Sequence, residues 1–106
     1  MLPGRDLFLF ITLISGISAV PAHAETIQVT IDKLVYSPAE ITVKVNDTIE
    51  WNNKDIVAHT ATVRGDWDVT IAAKSSASLV MKKAGTVDYY CRFHPNMRGR
   101  ITIAPQ

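Results

Sequence analysis

Near its C-terminal end the chain carries Cys91-Arg92-Phe93-His94-Pro95-Asn96-Met97, a thiol, an imidazole and a thioether at three-residue intervals. Cys91 is the only cysteine. A thiolate, two imidazoles and a weak axial thioether make up the donor set of mononuclear blue-copper sites. One imidazole is still wanted. Of the other two histidines, His23 falls in an N-terminal leader, which leaves His59. Each residue alone has an ordinary role: a buried thiol, a solvent-facing loop histidine, a core methionine. The spacing joins them, and Pro95 suits the turn needed to bring three donors of one loop to a single ion. The site expected is a copper site of His59, Cys91, His94 and Met97. Met81 lies in a strand pattern away from any other donor and is assigned to the core.

Other chemistries fit less well. A Cys–His nucleophile needs a third orienting group and a substrate cleft, for which a small β domain leaves little room. Structural zinc prefers four strong donors, and a thioether is a poor zinc ligand. Covalent haem requires Cys-x-x-Cys-His, which is absent. There is no Gly-rich phosphate loop and no aromatic–basic nucleic-acid motif. A net charge of +1 gives no bulk electrostatic case for nucleic acid or membrane. The local bias is Arg92, Arg98 and Arg100 around the donor segment, read either as steering an acidic partner or as a solvated rim.

Such donors need strands to hold them, and the chain supplies a period of two. Ile27, Val29 and Ile31 alternate with polar residues, as do Ile41, Val43 and Val45, and the last strand points Ile101 and Ile103 inward. Thr48 to Trp51 reads as a strand, and Asn52 to Asp55 as a polar loop leading to His59. Thr60 to Val63 and Thr86 to Tyr90 read as strands, the latter running into Cys91. Trp67 to Ile71 reads as either a short strand or an irregular connection. No window sustains a 3.6-residue period. Seven or eight short strands separated by turns predict an all-β sandwich or barrel, and in a sandwich the loops cluster at one end. His59 can then meet the Cys91 loop although it lies 32 residues earlier.

Residues 1–24 stand apart. A short start with Arg5, an apolar run from Leu7 to Val20 and Ala22-His23-Ala24 make a secretory signal peptide, with cleavage expected after Ala24. The run is shorter than the roughly 20 residues that span a bilayer; an uncleaved N-terminal anchor is the competing reading. Residues 25–106 then form one copper-binding domain in the periplasm, expected as a monomer without membrane insertion. An exported domain of this size with one cysteine has no disulfide to staple it, and a bound metal would help to hold it.

The segment Tyr90-Cys91-x-x-His94-Pro95-x-Met97-Arg98-Gly99, with Trp51-x-Asn53 followed six residues on by His59, resembles the cupredoxins, and among them the amicyanin-like chains. The resemblance implies a Greek-key β-sandwich with type 1 copper at one end, His59, Cys91 and His94 as equatorial ligands, Met97 as the axial one, and Asn53 pinning the two ligand loops together. It implies electron transfer by Cu(I)/Cu(II) cycling rather than enzymatic turnover. It also implies redox partners such as methylamine dehydrogenase and a c-type cytochrome. Two positions depart from the pattern: Ala58 and Phe93 stand where amicyanin-like chains carry proline. Phe93 has an N–H where proline has none, and a bond from it to the Cys91 sulfur is expected to favour Cu(I) and raise the potential. Val57, Ala58, Phe93 and Pro95 are expected as an apolar collar beside His94. The alternative function is a copper carrier or buffer without redox cycling; such a protein usually has Met-rich or His-rich tracts, which this chain lacks.

Overall fold

The structure, a computed structural model, describes residues 23–106. The expected signal peptide, apart from His23 and Ala24, lies outside them. Among the described residues the alternating pattern becomes nine strands: β1 (Thr26–Asp32), β2 (Val35–Ser37), β3 (Glu40–Lys44), β4 (Thr48–Asn53), β5 (His59–Val63), β6 (Trp67–Ile71), β7 (Ser76–Val80), β8 (Gly85–Tyr90) and β9 (Arg98–Ala104). Among the described residues there is no helix, and none long and apolar enough to cross a membrane.

The strands form two sheets, in the orders β2-β1-β4-β7 and β3-β9-β8-β5-β6. β1 runs parallel to β4, and β3 parallel to β9; the other neighbours are antiparallel. The two sheets pack as a β-sandwich. Val29, Ile31, Ile49 and Trp51 from one sheet meet Ala61, Ile71, Tyr89 and Ile101 from the other, all buried. Met81 is buried with them, as expected of a core residue.

Two elements differ from the sequence reading, and a third, left open there, is decided. Val35–Ser37, not anticipated as a strand, pairs with β1 from Asp32↔Val35 to Thr30↔Ser37. Trp67 to Ile71 is a regular strand, because β5 pairs with it along its whole length from Val63↔Trp67 to His59↔Ile71. Asn52 and Asn53 belong to β4 rather than to a loop. Each is held on the β1 side by Thr30 or Ile31, and Asn52 is paired with Ser76 on the other side. Two-sided pairing overrides the turn propensity of asparagine.

One position needs glycine for space. A Cβ on Gly99 would lie 2.5 Å from the ring of Tyr89. That ring is buried and its hydroxyl accepts a hydrogen bond from Trp51 Nε1 at 3.2 Å, so it has nowhere to retreat. Burial pushes the Tyr89 hydroxyl up to about 12.

Strand directions bring five segments to one end of the sandwich: the β1–β2 turn, the β4–β5 loop, the start of β5, the β6–β7 turn and the Cys91–Met97 loop. The candidate donors all belong to that end.

Candidate metal centre

The Cys91–Met97 loop shows why its donors recur every third residue. His94 N–H donates to Cys91 O at 3.3 Å, and Met97 N–H to His94 O at 2.8 Å. The circuit closes with Cys91 N–H on Met97 O at 3.2 Å. Two successive turns, with Pro95 second in the later one, fold the loop back on itself. All three donor residues thereby return to one side.

His59 comes from the other direction, as the first residue of β5. Its Nδ1 and that of His94 each lie 3.8 Å from Cys91 Sγ. The three donor atoms are within 4.8 Å of one another. Around a first-row ion with a sulfur leg of about 2.3 Å and nitrogen legs of about 2.0 Å, donors about 120° apart have sulfur–nitrogen separations of about 3.7 Å. The residues fit such an ion. Cys91 and His59 are fully buried, Met97 is buried, and His94 is half-buried at the surface. His23, exposed and outside the cluster, takes no part.

The His59 ring is aimed from behind. Its Nε2 lies 2.7 Å from Asp55 Oδ2. The carboxylate accepts, so Nε2 carries the proton and the Nδ1 lone pair faces the sulfur. Burial pushes the Asp55 carboxyl up. The bonds from Leu34 N–H, His59 and Lys33 N–H outweigh it and hold the group below the usual carboxylate range.

The sulfur receives its amide bond from Thr60 N–H, at 3.3 Å. The bond expected from Phe93 N–H is not formed, and the amide donor on the sulfur is Thr60 instead. The hydrogen bond that favours Cu(I) thus comes from β5. Thr60 also accepts Arg92 N–H at its Oγ1, at 2.9 Å, and its backbone oxygen accepts the Tyr36 hydroxyl.

Asn53 pins a different pair of segments from the one expected. Its Nδ2 donates to Val57 O at 2.9 Å, Ala72 O at 3.1 Å and Ile71 O at 3.3 Å, and its Oδ1 accepts Asp55 N–H at 2.9 Å. It therefore ties the β4–β5 loop to the end of β6. The join between the two ligand segments is made by Thr60.

The surface around His94 is apolar and wider than the sequence indicated. Phe93, Val57 and Pro95 are exposed as expected, Ala58 is only partly so, and Leu34 joins Phe93 and Pro95 beside His94. Leu34, Phe93, His94, Pro95, Asn96 and Met97 line one shallow depression. Of the arginines, Arg92 pairs with Asp68 at 3.0 Å and Arg100 with Asp88 at 2.7 Å.

Sequence reasoning missed Asp55, Thr60 and Leu34. A carboxylate four residues before the histidine is a visible signal for Asp55. Thr60 reaches the sulfur through its backbone, and Leu34 acts through its place in the fold; neither carries a local mark.

The cupredoxin-like domain family matches residues 6–103 of the chain. Amicyanin of Paracoccus denitrificans is 36% identical over 96 residues, covering 84% of this chain and 73% of that protein. A solved structure of the oxidized state of an amicyanin mutant superposes with a TM-score of 0.69 at 32% identity, over 74% of this chain and 81% of that one. The reduced Cu(I) form of another amicyanin mutant, at pH 4, gives a TM-score of 0.64 at 34% identity, over 79% and 85%.

Proposed function

The chain belongs to the cupredoxin-like family, and we propose that it carries single electrons on one type 1 copper ion held by His59, Cys91, His94 and Met97. The observation that carries this reading is the convergence of two imidazole Nδ1 atoms on one buried thiol, 3.8 Å each from Sγ. Bound copper supplies a one-electron Cu(I)/Cu(II) couple.

The protein's part is to keep the donors still. His59 is oriented by Asp55, the Cys91 sulfur by Thr60 N–H, and the Cys91–Met97 loop by its three internal bonds. Little has to reorganise when the charge on the ion changes. Burial of Cys91 and His59 excludes water from that side. It also argues against the copper-carrier alternative, which wants exposed, labile donors. His94 reaches the surface within an apolar rim of Leu34, Val57, Phe93 and Pro95, and its ring is the electron port. Weak redox encounters need only a small interface of this kind.

The reading is of a carrier between a dehydrogenase and a c-type cytochrome, not of an enzyme. Export by residues 1–24, with cleavage after Ala24, places it in the periplasm.

The visible spectrum of the copper-loaded protein tests the site. An intense thiolate-to-copper band in the orange-red is expected, and a colourless cupric protein would refute the assignment. Stopped-flow mixing with c-type cytochromes then separates carrier from buffer: a buffer transfers no electron.

A further inference from the structure

Lys33 and Leu34 sit back to back in the left-handed region, with φ of 53° and 62°. Two such residues in succession are ordinarily Asn-Gly, because a Cβ crowds the following carbonyl oxygen in this conformation, which glycine avoids and asparagine tolerates. What holds the turn is a carboxylate from another element. Asp55 Oδ1 accepts Lys33 N–H at 2.7 Å, and Oδ2 accepts Leu34 N–H at 3.0 Å. Successive amides in this conformation form a concave anion-binding nest. The same Oδ2 accepts the His59 Nε2 proton at 2.7 Å.

The main chain of Asp55 is fixed as well. Its N–H donates to Asn53 Oδ1, and its oxygen accepts Lys74 N–H at 3.1 Å. Its side chain is only 13% exposed. Leu34, which the turn presents, lines the same depression as Phe93, His94 and Pro95.

We infer that Asp55 is a positioning residue that sets the His59 ring and the Lys33–Leu34 turn together, coupling the buried ligand to the apolar face where a redox partner docks. The docking half of this inference rests on the function proposed above; the coupling itself stands on the three hydrogen bonds. Coupling is reciprocal: whatever fixes His59 steadies the turn, and the converse.

Amide and imidazole hydrogen exchange, read by nitrogen-15 NMR on the metal-free protein, tests it without copper. In Asp55→Asn the side-chain NH2 replaces one acceptor oxygen, and Lys33 N–H, Leu34 N–H and His59 Nε2–H are expected to exchange at least tenfold faster, all three together. Amides of β4 and β8 keep their rates. Acceleration of the turn without His59, or of His59 without the turn, overturns the proposal. A second variant separates coupling from simple support of the turn. Lys33→Asn with Leu34→Gly relaxes the turn in the Asp55→Asn background. It should slow exchange in the turn but leave His59 fast and the reduction potential at its Asp55→Asn value; return of the potential to wild type refutes a direct action on the ligand. Should Asp55→Asn fail to fold, the wild type suffices: Cu(I) loading is expected to slow exchange at Lys33 and Leu34, and unchanged rates count against the coupling. Failure to bind copper would refute the function and leave the metal-free result standing.

Discussion

Thr60 holds more of the site than its residue type announces. Its N–H bonds the Cys91 sulfur, and its hydroxyl begins a chain with one possible direction. Arg92 N–H donates to Thr60 Oγ1; Thr60 Oγ1 lies 2.9 Å from Thr62 Oγ1, and Thr62 Oγ1 donates to Asp68 Oδ1 at 2.6 Å. Asp68 is an acceptor only, its carboxyl held below the usual range by Thr62 and then Arg92. Each hydroxyl therefore passes its proton away from the metal loop. Thr60→Val keeps the shape and the amide on sulfur but leaves Arg92 N–H without its acceptor. We expect a loss of about 2 kcal/mol in denaturant unfolding, with the thiolate band retained.

At the level of elements, the site is a meeting of strand ends, and the bonds that join them are few. Asn53 is the last residue of β4, and its side chain closes both the β4–β5 loop and the end of β6. Asn53→Ala removes an acceptor from Asp55 N–H and a donor from three carbonyls at a buried position. The expected cost is about 3 kcal/mol, a fall in Tm of more than about 10 °C for a domain of this size. The metal loop, bonded through Thr60 instead, should keep its geometry in the folded variant, and copper titration of that variant checks this.

For the whole molecule, the charges decide two behaviours. Asp47 is held below the usual carboxylate range by Glu25 N–H and then Lys44 N–H, tying the start of the domain to the β3–β4 turn. Under cleavage after Ala24 the Glu25 amide becomes an ammonium on the same carboxylate. Asp88, beside Arg100, and Asp68 are lowered too. A depressed folded pKa means that the unfolded chain binds more protons. The stabilisation is complete above the ordinary carboxylate value and drains away as pH falls through the folded values. The unfolding midpoint should therefore drop steeply below about pH 4, and Asp47→Asn should flatten part of that slope. Steering is the second behaviour. Two of the three arginines near the metal loop already face carboxylates, at Asp68 and Asp88. Association with a redox partner should lose less than about tenfold in rate between low and physiological salt, measured by stopped flow; a steeper loss would restore the steering reading.

The amino-acid sequence was sufficient for the donor types and the sandwich. Both are local properties: soft-ligand chemistry belongs to Cys91, His94 and Met97 themselves, and strand alternation repeats every two residues. The turn spacing of the Cys91–Met97 loop was equally legible, since the two bonds that make its turns each span three residues. Only the tertiary structure decided who supports those donors. Asp55 reaches Lys33 across 22 positions, and Thr60 reaches Cys91 across 31. Such bonds depend on which strand ends share one pole of the sandwich, and a backbone amide, which every residue but proline carries, leaves no trace in the letters of a chain.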